Sequence, residues 1–181
     1  TARNFAEKEI RPGVMKFDES QEFPHEIIRK LGELGFMGIV IPEEYGGSGF
    51  GYLEYVTILE EISRVDPSIG LSIAAHNSLC SNHVYTFGNE SQKKKYLPGL
   101  ASGRTIGAWA LTEPTAGSDA AGMLTTASRD GECYVLNGSK NFITHGSVGG
   151  VTIVMASLDR SKGKKGICAF IVENNTPGFI V

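Results

Sequence analysis

The sequence predicts an α+β protein: an all-α N-terminal helical domain over 1–103, then an antiparallel β-barrel or sandwich over 104–181. Three observations predict it. Apolar residues up to about residue 102 recur at helical spacing. From Thr105 onward the pattern changes to short β-prone runs bounded by turn residues. No alternation of strand and helix runs through the chain, which argues against a doubly wound sheet.

The helical half reads in order. Phe5 and Ile10 mark a helix closed by Arg11-Pro12-Gly13. Pro24 suits the first position of the next helix, Ile27, Ile28, Leu31 and Leu34 repeat along it, and Gly35 stops it. Leu53, Val56, Leu59, Glu60 and Ser63 outline a third helix, ended by Asp66-Pro67. Residues 68–87 form a fourth, small and apolar, closed by Gly88. Ser91 caps a fifth, and Pro98-Gly99 and Ser102-Gly103 end this half.

The strand half offers runs at 105–111, 124–128, 133–136, 141–144, 151–157, 167–172 and 179–181. Arg129-Asp130-Gly131-Glu132 and Asn137-Gly138 are hairpin signals, and Lys162, Lys164 and Lys165 mark a further hairpin tip. The chain opens within helical sequence and closes within an apolar run, so both domains read as pieces of a larger protein.

The totals exclude several functions. A net charge of -3, with Lys93, Lys94 and Lys95 as the only basic run, gives no reason to expect nucleic acid or an anionic membrane as partner. No stretch is apolar for the roughly 18 residues of a membrane span. Cys80, Cys133 and Cys168 are odd in number and far apart, in apolar surroundings, which reads as buried reduced thiols. His76 and His83 lie seven apart, outside the usual metal-ligand spacing on a helix, so no metal is expected. Gly46 to Gly51 fails the dinucleotide pattern because Tyr52 stands where the third glycine belongs, and reads as an interhelical loop.

The stretch from Trp109 to Asp119, WALTEPTAGSD, is different. Pro114 fixes the backbone and Gly117 permits close approach to a ligand. Ser118 and the amides around Gly117 suit an anion such as a phosphate. The hydroxyls of Thr112 and Thr144 suit the edge of a flat heteroaromatic ring, with Trp109 or Phe142 on its face. Glu113 is an acid in the same loop. The residues leave two readings open at this point: a ligand loop, or a turn whose hydroxyls bond internally.

The motifs themselves resemble the acyl-CoA dehydrogenase family. PEEYGG at 42–47, ISRVDPS at 62–68, HNSL at 76–79, QKKKYLPGLASG at 92–103, WALTEPTAGSDA at 109–120, LNGSKNFITHG at 136–146 and KGICAFIVENNTPG at 165–178 come in the family's order. The resemblance implies a helical domain, a middle β-domain and a C-terminal helical bundle, in a homotetramer. It implies FAD as cofactor and αβ-dehydrogenation of an acyl-CoA thioester, with electrons passed to an electron-transfer flavoprotein. The location it implies is the cytoplasm in a bacterium and the mitochondrial matrix in a eukaryote.

Carried over by motif, Trp109, Leu111, Thr112, Gly117 and Ser118 match the first flavin-contacting segment, with Thr112 toward the ring and Ser118 toward the pyrophosphate and the acyl-CoA. Phe142, Ile143 and Thr144 match the second, where the family usually has Trp-Ile-Thr. Thr115 replaces the usual small residue, so a negative φ is expected there. Ser72, Ala75, His76 and Leu79 match the helix under the acyl pocket, and the sequence around them looks like short-chain and branched-chain members. The family's catalytic Glu belongs to the C-terminal bundle, so no residue of this chain is expected as the base, and the chain alone is expected to be inactive. An acyl-CoA oxidase, a flavin-dependent monooxygenase and a non-catalytic flavin-binding relative are the alternatives on the same scaffold.

Overall fold

Pro12 does not end a helix. In the computed structural model, which describes all 181 residues, α1 (Ala2–Phe5) widens into a π turn over Ala6–Ile10, tightens into a 3-10 turn over Arg11–Gly13, and resumes as α2 (Val14–Ser20). The irregular turns absorb the proline's missing N–H and its clash with the preceding turn. The helical run ends instead at Gln21, whose φ of 57° places it in the left-handed region.

The chain divides into two units, Thr1–Gly107 and Ala108–Val181. The first is helical. Helix α3 (His25–Glu33) has Pro24 at its N-cap, one position earlier than expected. It closes at Gly35, φ 77°, where Phe36 N donates to Leu31 O at 2.8 Å. Helix α4 (Tyr52–Ser63) turns Tyr55 and Ile62 inward and leaves Leu53 and Val56 exposed, so its buried face is not the one the spacing outlined.

Asp66-Pro67 begins α5 (Pro67–Ala74) rather than merely ending α4. The Asp66 side chain accepts from the amides of Ser68 and Ile69, which caps the helix. The expected long fourth helix continues as a π turn over Ala75–Ser81 and then α6 (Asn82–Phe87). Asn89, not Ser91, caps α7 (Glu90–Ala101) in a reciprocal pair with Gln92, and α7 runs on through Pro98.

Ile28, Leu31, Met37, Ile39, Ile62 and Ile73 are fully buried in the core of this unit. Residues 36–41 are an irregular apolar run, held by Asn77. Its side chain accepts from Ile39 N and donates to Phe36 O and Ile73 O. The glycine-rich loop is knitted into the same region. The amides of Gly46 through Phe50 all donate to carbonyls between Gly38 and Glu43, so none is left to cradle a phosphate. Gly47 is required there: a Cβ would lie 2.0 Å from Ile41 O.

The second unit is built on one sheet that is mixed, not purely antiparallel. Its strands are β1 (Gly107–Ala110), β2 (Thr126–Asp130), β3 (Cys133–Asn137), β4 (Val151–Ser157) and β5 (Ile167–Glu173). β4 pairs antiparallel with β5 from Val151↔Glu173 to Ser157↔Ile167. β4 also neighbours β1 and meets β2 in parallel at Thr126↔Ser157. β2 and β3 form the expected hairpin around Gly131, φ 58°, and the lysine cluster lies in the connection between β4 and β5. Two expected strands do not form: 141–144 is a turn and 179–181 is irregular. Asn137-Gly138 likewise leads into a loop and not a hairpin.

Cys80 is buried, but Cys133 is exposed on β3, contrary to the expectation for all three thiols. No helix is long and apolar enough to cross a membrane.

Candidate functional site

Two loops of the second unit carry the expected cofactor residues: 111–125 between β1 and β2, and 138–150 between β3 and β4. The first opens with a tight turn. Glu113 N donates to Ala116 O at 2.9 Å and Ala116 N to Glu113 O at 3.2 Å, with Pro114 at the first inner position. Thr115 is not among the residues of positive φ, as expected, so this is the turn type that tolerates a β-branched residue.

The centre of the loop is the Glu113 carboxylate. Oε1 accepts from Lys140 Nζ at 2.8 Å and from Thr125 N at 2.9 Å, and Oε2 accepts from Leu124 N at 2.5 Å. The side chains of Lys140 and Glu113 are only 9% and 2% exposed. Burial pushes the Glu113 carboxyl up, but the hydrogen bonds from Lys140, Thr125 and the Leu124 amide outweigh it and hold it at about 2. A carboxylate so stabilised in its ionised form is a poor base at neutral pH. Glu113 is therefore a structural anchor.

The second loop is tied to the first at its start. Lys140 Nζ also donates to Leu111 O at 2.9 Å, and Asn141 N donates to Thr112 O at 2.8 Å. Gly138 sits against Thr125, where a Cβ would meet Oγ1 at 2.4 Å. At its far end, Asn174 accepts from Thr152 Oγ1 at 2.8 Å, while its own amides donate to Gly146 O and Gly150 O.

Between these anchors, Phe142 has φ 58° and is 93% exposed. An aromatic residue in the left-handed region is a steric outlier, and its ring is turned to solvent. Thr144, Ile143, Thr112, Leu111 and Trp109 are half-buried; Gly117 and Ser118 are exposed. The loops' hydrogen bonds run through Glu113, Lys140, Asn174 and the backbone, and engage none of the hydroxyls of Thr112, Ser118 and Thr144. The reading of a turn with internally bonded hydroxyls is thus disfavoured. Space is open around Gly117. Trp109 Nε1 is buried without an acceptor.

The other four candidates belong to the first unit. Ser72 and Ala75 are buried and Leu79 is 41% exposed. His76 is fully buried: Nδ1 accepts from Gly107 N at 2.9 Å and Nε2 donates to Leu100 O at 3.0 Å. Both nitrogens are engaged, which fixes a neutral tautomer and leaves none for a ligand. It lies in the π turn over Ala75–Ser81.

Lys140 and Asn174 received no role from the sequence. The signal for Lys140 was present: it is the one Lys or Arg of loop 138–150, and loop 111–125 offers two acids, Glu113 and Asp119.

Sequence profiles of the acyl-CoA dehydrogenase N-terminal domain and middle domain match residues 1–104 and 108–181. An acyl-CoA dehydrogenase of Bacillus subtilis is 48% identical over 99% of this chain and 47% of its own length. The mitochondrial isovaleryl-CoA dehydrogenase of Pongo abelii is 47% identical over 99% of this chain and 43% of its own. Among solved structures, butyryl-CoA dehydrogenase from Megasphaera elsdenii superposes with a TM-score of 0.93 at 42% identity, covering 98% of this chain and 47% of that one. The chain spans about half the length of the relatives it matches.

Proposed function

Because the chain belongs to the acyl-CoA dehydrogenase family, matched along both of its units, we propose that it serves FAD-dependent αβ-dehydrogenation of acyl-CoA thioesters. The observation that carries the reading is Phe142, a solvent-facing aromatic ring in a strained backbone conformation between two anchored loops. Strain of that kind persists where the surroundings hold it, and it clusters at ligand sites.

The residues present fit a flavin. Phe142 offers a ring face. Thr112 and Thr144 offer hydroxyls to the polar edge of a heteroaromatic ring, and they sit on the two loops joined by the Asn141–Thr112 bond. Ser118 and the open backbone at Gly117 offer donors to a pyrophosphate. When bound, FAD supplies the acceptor for the hydride that leaves the substrate's β-carbon. The chain's own part is to hold and orient: the loops fix the ring's edge and leave one face covered by Phe142.

The chain supplies no evident group to take the α-proton. Of the two acids on the first loop, Asp119 is exposed, and Glu113 is ionised, buried and paired with Lys140. Proton removal is accordingly assigned to a residue outside residues 1–181, and this chain alone turns over no acyl-CoA. Electrons pass on to an electron-transfer flavoprotein, and the working form is a homotetramer. The protein works in the cytoplasm of a bacterium or in a mitochondrial matrix. Acyl groups that are short or branched are the favoured substrates, in keeping with the butyryl-CoA and isovaleryl-CoA relatives.

Anaerobic titration of the full-length, flavin-loaded protein with a panel of acyl-CoAs tests this. Bleaching of the visible flavin band by short or branched substrates is the expected result. No bleaching by any acyl-CoA would point to the non-catalytic relative. Rapid recolouring in air would point to the oxidase.

A further inference from the structure

We propose that Lys140 and Glu113 are a positioning pair for the flavin site: their buried contact sets segment 142–144 against Thr112. The proposal rests on the reading of the two loops given above. Three pieces of chain converge on this pair. Glu113 belongs to the first loop, Lys140 to the second, and the amides of Leu124 and Thr125 to the approach to β2. Lys140 extends the link by donating to Leu111 O, one residue before Thr112. The residue after Lys140 makes the backbone bond to Thr112 O, and the next is Phe142 with its φ of 58°.

The composition of the pair matters. Two charges taken out of water are costly, and an apolar pair of equal volume commonly stabilises a core as well or better. What a charged pair adds is a single geometry. Each oxygen of Glu113 has its assigned donors, and the ammonium has two assigned acceptors. Such a network is satisfied in one register of the two loops. The residues beside it, Thr112 and Phe142, are the ones a flavin in the proposed site would meet.

A merely structural pair would affect stability alone, whereas a positioning pair must also affect the bound flavin. The test uses the flavin-loaded full-length protein with Lys140→Met, Lys140→Arg and Glu113→Asp, and with Phe142→Ala as a separate probe of the site. The measurements are flavin dissociation constant, shape of the visible absorption band, flavin midpoint potential and thermal midpoint. Lys140→Arg and Glu113→Asp keep both charges yet displace the contact, since a planar guanidinium does not reproduce an ammonium's geometry, and the circular dichroism of each variant checks that it folds.

The expected result is a loss of flavin affinity of about tenfold or more in each pair variant, with an altered band and a shifted potential. A 1 Å displacement at a bound group has effects up to about a hundredfold. If the pair variants lower only the thermal midpoint and leave affinity, band and potential as in the wild type, the proposal is overturned while the flavin reading stands. If Phe142→Ala leaves affinity and band unchanged, the flavin reading fails and the proposal with it. Should Lys140→Met not fold, the two charge-conserving variants decide.

Discussion

The amide of Asn141 donates to the carbonyl of Thr112 at 2.8 Å. One backbone bond therefore joins the loop that carries Thr112 to the loop that carries Phe142 and Thr144. The Lys140 ammonium, on the residue before, reaches Leu111 O on the residue before Thr112. Main chain and side chain make the same link twice, in adjacent positions.

Acid should expose the Glu113 pair. The carboxyl is held at about 2 against an ordinary 4.5. The native state thus favours the ionised form, and the stabilisation is complete above about pH 4.5. It is lost as pH falls toward 2. The loss belongs to the whole set of hydrogen bonds to Glu113, from Lys140, Thr125 and the Leu124 amide. Urea unfolding between pH 6 and 2 checks this against Glu113→Gln. The difference between the two proteins should be largest above pH 5 and shrink toward pH 2. A constant difference would count against the pair.

Phe142→Gly separates strain from function. Relief of the left-handed conformation gains about 1 kcal/mol, and the extra freedom of glycine in the unfolded chain removes about as much. The stability of the flavin-free protein should therefore change by less than about 1 kcal/mol, measured by urea unfolding. Flavin affinity should fall, because the ring is gone. A large destabilisation without loss of flavin would contradict the role given to Phe142.

Trp109 carries a buried indole N–H without an acceptor. Trp109→Phe removes the unsatisfied donor and keeps an aromatic ring. Stability should stay within about 1 kcal/mol of the parent, since loss of the donor offsets loss of ring contact. A drop beyond about 2 kcal/mol would mean the N–H has a partner.

Helices α4 and α5 meet at a glycine. A Cβ on Gly70 would lie 1.9 Å from Ser63 Oγ and 2.9 Å from Ser63 Cβ. Gly70→Ala should cost about 1–3 kcal/mol by overpacking. A second change, Ser63→Ala, should recover part of it by removing the nearer atom. Thermal unfolding of the two single variants and the double gives the coupling between the positions. Simple additivity would rule out the clash.

Period and turn chemistry made much of this fold legible. The shift at Thr105, the stop at Gly35 and the hairpin at Gly131 were all readable because each rests on local sequence. The errors have one physical source. Pro12 and Pro98 look like helix ends, but neighbouring π and 3-10 turns, or the tertiary packing of α7, carry the helix past them. Residues 141–144 look like a strand because Phe142 and Ile143 are β-prone, yet two positive φ values, at Phe142 and His145, make the segment a turn. Motif resemblance singled out residues 109–119 and 142–144. It did not find the Lys140–Glu113 contact, which joins residues 27 apart. His76 reads as a pocket residue from its motif, and only the structure gives its two nitrogens to Gly107 and Leu100.

β2 and β4 meet in parallel at a single registered pair, Thr126↔Ser157. The two antiparallel partnerships, β2 with β3 and β4 with β5, each close over short stretches of chain, at low entropic cost. The β2–β4 seam must close a loop of about thirty residues for little hydrogen bonding, so few bonds of its own offset that closure entropy. That loop contains Lys140 and Phe142. The loop between β3 and β4 therefore lies where the sheet is held by few bonds of its own, and a ligand bound there would act as a clasp.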